Sequence, residues 1–115
     1  MTLDPTTVTL AAVGAFILVK LFLSRRASAA DVAAKLAAGA VVLDVRSEGE
    51  FRSGAYAGAI HVPVQELEAR LSKVPKGRPV VVYCASGARS AMAVRILKKA
   101  GYPDVVNAGG LRHMP

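Results

Sequence analysis

Two short valine-rich runs, AVVLDV over residues 40–45 and PVVVYC over 79–84, limit the folds open to this chain more than anything else in it. Neither alternates apolar with polar residues, as a strand with one wet face would. Both read as strands buried on two faces, the habit of parallel sheets. Segments with helical spacing lie around them. Ser28 to Asp31 has the S-x-x-D form of a capping box and is followed by good helix formers up to Gly39. VQELEARLSKV, 64–74, places Val64, Leu67, Leu71 and Val74 on one helical face before Pro75 and Gly77. RSAMAVRILKKAG, 89–101, turns Ala93, Ile96, Leu97 and Ala100 inward and stops at Gly101. AIHVP and DVVNAGG are brief strands, and RSEGEFRSGAYAG is a loop with room for one helical turn. The alternation predicts an α/β domain: a small parallel sheet with helices on both faces. Sites in such sheets form beyond the carboxyl ends of the strands. Asp44, Arg46 and Cys84 fall at those ends and are expected to open onto the same edge.

The first thirty residues do not share this pattern. After a short tail, 1–6, residues 7–23 read TVTLAAVGAFILVKLFL, apolar except for threonines and Lys20. As a helix they span about 25 Å, close to the ~30 Å hydrocarbon core of a bilayer. Lys20 lies near Arg25 and can snorkel to the headgroups. A cleavable signal ending at Ala27-Ser28-Ala29 is the rival, but it wants positive charge before the apolar stretch, and the leading residues carry only Asp4. A buried core helix is a lesser option. The sequence therefore predicts one transmembrane helix, 7–23, a basic linker, 24–29, and a domain over 30–115. Lys20, Arg25 and Arg26 all sit toward the C-terminal side of the span, which places that domain on the cytoplasmic face of the inner membrane, in a single-pass topology.

Three of the 15 Lys and Arg and one of the 8 Asp and Glu precede Asp31, so the domain carries a net +5. Anionic membranes and small anionic substrates both suit that balance. Nucleic acid does not, since no aromatic-interleaved basic stretch is present. His61 and His113 form no metal-type spacing with Cys84; His61 reads as structural and His113 as exposed near the chain end. No cofactor or metal is called for. The single cysteine excludes an internal disulfide and suits a reducing compartment.

That cysteine ends the second valine run. Ala85, Ser86, Gly87, Ala88, Arg89 and Ser90 then turn into a helix, so their N–H groups are expected to wrap the thiol and add to the positive end of the helix. Gly87 permits the backbone angles this needs, Ser86 and Ser90 add donors, and Arg89 a fixed charge. A thiol so placed has a lowered pKa and is substantially thiolate at neutral pH. The competing reading is an ordinary small buried hydrophobe.

YCASGARSAMAVRILKKAGYPDVVNAGGL resembles the active-site half of a single-domain rhodanese, a member of the sulfurtransferase family. VVLDVRSEGEF is similar to that family's DVR…E-[FY] element, and GAYAGAIHVP to its GHIPGAINIP element. The likeness covers about residues 30–112. Ala55 and Ala57 stand where the family usually has His and Pro, and the short strand that often opens the domain is not evident before Asp31.

The resemblance implies that Cys84 attacks the outer sulfur of a donor such as thiosulfate and holds it as a persulfide. A thiol, cyanide or a partner protein's cysteine then removes it. It further implies that the amides of Ala85 to Ser90 cradle the terminal sulfur, that Arg89 binds the anion, and that Asp44 with Arg46 orders the loop region, with Arg46 near the substrate. Arg89 lies five positions after Cys84, one fewer than in cysteine phosphatases and arsenate-handling relatives, and the smaller ring favours a lone sulfur over a tetrahedral oxyanion. The alternative from another class is a sulfur carrier or anion-binding module that serves a membrane partner without turnover.

Overall fold

The computed structural model describes residues 4–115, with the side chains of 19–24 outside the described set. Helix α1 runs Pro5–Ser24. It starts where Asp4 caps it, the carboxylate accepting from the Thr7 N–H at 2.8 Å, with Pro5 at the first helical position. Among the described residues, no helix is long and apolar enough to cross a membrane. Residues 19–23 of the span expected over 7–23 lie outside the described side chains.

The remainder is an α/β unit. Helix α2, Ala29–Ala37, begins at Ser28, whose hydroxyl accepts from the Asp31 N–H. Strand β1, Val41–Asp44, leads into α3, Glu48–Arg52, the single helical turn expected in that loop, and then β2, Ile60–His61. Strand β3, Val80–Cys84, feeds α4, Ala88–Lys99, and β4, Val105–Gly110, closes the sheet. The strands lie in the order β2-β1-β3-β4, every pair parallel. All residues of β1 and β3 are buried, as unbroken valine runs require.

Side-chain alternation splits the core in two. Leu43, Val82 and Cys84 face α4, where Ala93, Val94 and Leu97 meet them. Val42, Val81 and Tyr83 face Val32 of α2. Ile96 and Ala100 are only partly buried, and Val94 joins Ala93 and Leu97 in the core.

Three expectations are corrected. The segment 64–74 is not one α-helix but two 3-10 stretches, Val64–Glu66 and Glu68–Lys73. A three-residue repeat sets Val64 under Leu67, and the chain breaks at Arg70 (φ −126°) before Val74 re-enters the core. The Tyr102 hydroxyl pins the end of the segment, within reach of the Leu71 and Val74 carbonyls. Before Asp31 a remnant of the opening strand exists after all, as Arg26 bridges Asn107 in parallel and the Ala27 N–H donates to the Asn107 carbonyl at 2.6 Å. His113 is not exposed. A 3-10 turn, Leu111–His113, folds its ring back so that Nδ1 accepts from the Gly110 N–H, and Arg26 lies 2.8 Å from Nε2.

Candidate active site

Cys84 is the last residue of β3 and points to the α4 side, so its sulfur lies beneath the incoming end of that helix. The link is only Ala85, Ser86 and Gly87. Gly87 takes φ +106°, a left-handed conformation open to glycine, and a Cβ there would stand 3.3 Å from the Gly109 Cα. This turn aims the Gly87 N–H at the Cys84 sulfur, 3.0 Å away, and sets the Ser90 hydroxyl 3.4 Å from it. Burial alone would push the thiol up. The Ser90 hydroxyl and the N–H groups of Ser90, Gly87 and Ser86 outweigh it, and the thiol lies below its ordinary value.

The sulfur itself is covered. Cys84 is 0 % exposed, while Ala85, Ser86 and Ala88 form an exposed rim above it. The cradle expected from Ala85 to Ser90 is thus divided. Ser86, Gly87 and Ser90 supply the donors, whereas Ala85 turns its carbonyl toward Gly110, where any side chain would collide with it.

Arg89 does not present a free fork. Nη1 donates to Glu50 Oε1 at 2.6 Å and Nη2 to Oε2 at 2.9 Å. Glu50 is the third residue of α3 and closes a capping box with Ser47. Its carboxyl, held first by Arg89 and then by the Ser47 N–H, is pulled down to about 2. Glu50 was part of the family-like E-[FY] element, but its pairing with a residue 39 positions away has no sequence signal. Asn107 is a second residue that sequence reasoning missed. Buried in β4, it accepts from the Gly109 N–H and lies 2.6 Å from the Ser90 hydroxyl through Oδ1, while Nδ2 donates to the Gly87 carbonyl. A lone polar residue inside VVNAGG was the available hint.

Asp44 and Arg46 do reach the carboxyl edge of the sheet, but on the opposite face. Arg46 Nη2 donates to Asp44 at 2.7 Å and to the Gly54 carbonyl at 2.8 Å. The Tyr83 hydroxyl donates to Asp44 at 2.6 Å and accepts from the Tyr56 N–H. Arg46 also stacks over the Tyr83 ring. Burial of Asp44 is outweighed by Arg46 and Tyr83, so its carboxyl lies below the usual range. Since Tyr83 and Cys84 are adjacent in one strand, they project to opposite sides, and Arg46 is ordered away from the sulfur. His61 is structural, stacked on Phe51 with Nε2 donating to the Arg46 carbonyl at 2.8 Å.

A parallel α/β sheet with a cysteine at a strand end and main-chain donors on its sulfur narrows the field, and the family comparison decides it: residues 28–112 match the Rhodanese-like domain. The chain belongs to the rhodanese-like family. Among its relatives, a sulfurtransferase of Allochromatium vinosum is 39% identical over 70 residues, covering 61% of this chain and 65% of that protein. The thiosulfate sulfurtransferase PspE of Escherichia coli is 40% identical over 72 residues, covering 61% of this chain and 69% of its own. The matched part thus spans about two thirds of these relatives. Human single-domain sulfurtransferase TSTD1 superposes with a TM-score of 0.67 at 29% identity, covering 76% of this chain and 92% of that one. The putative sulfur carrier protein YrkF of Bacillus subtilis is 36% identical over 66 residues, 36% of its length, so the relatives include one named as a carrier as well as sulfurtransferases.

Proposed function

We propose that this rhodanese-like chain moves sulfane sulfur, from thiosulfate or a similar donor to a thiol or cyanide, through a persulfide on Cys84. The observation that carries the proposal is the Gly87 N–H aimed at the Cys84 sulfur from 3.0 Å, with the Ser90 hydroxyl 3.4 Å away. The Cys84 thiolate attacks the donor's outer sulfur. The bond to the leaving group breaks, and sulfite, when thiosulfate is the donor, departs with the electron pair. The persulfide's terminal sulfur carries the charge that the N–H groups of Ser86, Gly87 and Ser90 stabilise. A cyanide or thiolate acceptor then attacks that sulfur and restores the Cys84 thiolate. Ala85 and Ala88 form the rim through which both partners must pass, and Arg89 is the cation beside it.

Intact mass after treatment with thiosulfate tests this directly: one retained sulfur adds ~32 Da to a thiolate-bearing chain, and Cys84→Ser should show no addition. A wild-type chain left unmodified by thiosulfate and by a thiosulfonate alike would sink the proposal. The second reading, a carrier without turnover, is favoured by the covered sulfur and by the lone cysteine, which leaves no internal thiol to release the persulfide. Sulfur retained on Cys84 with no steady-state thiocyanate formation supports the carrier.

The α1 segment is proposed as a single-pass anchor that holds the domain on the cytoplasmic face of the inner membrane. Its large apolar side chains are outward, Leu10 and Leu18 each 67 % exposed, and Arg25 and Arg26 follow it. Carbonate extraction of membranes carrying the full chain tests the anchor. Release of the chain into the soluble fraction would refute it.

A further inference from the structure

We propose that Glu50 selects the sulfur donor: by occupying the Arg89 guanidinium it leaves that cation compensated at the mouth, which favours singly charged sulfane donors, such as a thiosulfonate or a thiol-borne persulfide, over the dianion thiosulfate. This deepens, and rests on, the Cys84 persulfide reading.

The geometry supports it in three ways. Both carboxylate oxygens of Glu50 meet both terminal nitrogens of Arg89, so the edge best suited to grip a second anion is taken. Glu50 is also not free to withdraw. Its Oε1 accepts from the Ser47 N–H at 3.2 Å and the Ser47 hydroxyl at 3.0 Å, so α3 fixes it independently of Arg89. The groups left on the sulfur are neutral dipoles, the Gly87 N–H at 3.0 Å and the Ser90 hydroxyl at 3.4 Å. They can offset one charge at the terminal sulfur and offer nothing to a second charge on the leaving group. Because Cys84 is fully covered, a donor sheds water to reach it, and the cost of that rises steeply with charge.

The step balances for either favoured donor. With a thiosulfonate, the Cys84 thiolate bonds to the outer sulfur, the sulfur–sulfonyl bond breaks, and a sulfinate leaves with the electron pair. With a persulfide, the sulfur–sulfur bond breaks and a thiolate leaves. In both cases Cys84 ends as the persulfide anion.

Methanethiosulfonate and thiosulfate are the probes, since they differ chiefly by a methyl group in place of one charged oxygen. The full chain and Glu50→Gln are compared by kcat/KM for each donor. Gln can keep the capping box through its oxygen, but it removes the charge and the second acceptor that Arg89 Nη2 uses. The expected result is a wild-type preference for methanethiosulfonate that Glu50→Gln narrows by about fivefold, as the uncompensated Arg89 begins to attract the dianion. Arg89→Gln, which leaves Glu50 unopposed, should widen the same ratio. A ratio moved less than about twofold by both substitutions, or moved in the opposite sense by either, overturns the inference. If neither donor adds sulfur to wild-type Cys84, the persulfide reading falls and this inference with it. Loading by both donors with an unmoved ratio removes the inference alone.

Discussion

The carboxyl ends of β1 and β3 are neighbours in one sheet, yet they hold opposite kinds of polar cluster. At Asp44 every charge is matched: carboxylate, guanidinium, phenol and two loop backbone groups satisfy one another inside the protein. At Cys84 the donors converge on a group that is neutral as a thiol and balanced only as an anion. A cluster that closes on itself secures a loop. One whose donors gain most when a charge appears is prepared for chemistry. The sheet keeps the two apart by sending Tyr83 and Cys84 to opposite faces.

Substitutions can break this division. Cys84→Ser is expected to have the largest effect, a loss of sulfur transfer of about a thousandfold or more with the thermal transition little changed. Asp44→Ala leaves Arg46 buried without its partner and should cost about 3–5 kcal/mol of stability in urea unfolding. The pH midpoint of Cys84 alkylation should stay where it is, and a shift as large as that of a cradle variant would erase the distinction between the faces. The Asp44 carboxyl titrates lower in the folded chain than its ordinary 3.8. Its stabilisation is therefore complete above that value and lost as pH falls through the folded one, so the gap between wild type and Asp44→Ala should shrink in acid.

Smaller changes sharpen the cradle side. Gly87→Ala forces a left-handed alanine against Gly109 and should cost about 1–2 kcal/mol, while raising the thiol pKa because the Gly87 N–H loses its aim. Ser90→Ala should raise it as well, through loss of the Ser90 hydroxyl beside the sulfur, read from the pH dependence of iodoacetamide reaction. In the wild type that rate should fall at a lower pH than for an ordinary thiol, whose value is 9.0. Glu50, at about 2, adds no titration there. Reaction that occurs only on unfolding would show the sulfur to be sealed.

The parts that were legible in the sequence are the local ones. Valine runs fix β1 and β3 because burial on both faces permits little else, and Ser28 starts α2 through a contact three residues away. The loop around Cys84 was readable because strand, glycine and helix follow within six residues. The 3-10 stretches were not, since Val64 and Leu67 fit a period of 3.0 as well as 3.6. Nor was the face on which Arg46 works. Only the register pairing Asp44 with Tyr83 rather than Cys84 settles it, and register belongs to the sheet. Glu50 on Arg89 and Asn107 behind Ser90 bridge distant segments, which spacing along a chain does not reveal.

The bridge from Arg26 to Asn107 shortens the leash. Only Arg25 separates the last residue of α1 from a residue stitched to β4. At about 3.5 Å of reach per residue, whatever holds α1 also holds the domain close by. Exchange partners would have to travel to Cys84, because Cys84 could not go out to meet them.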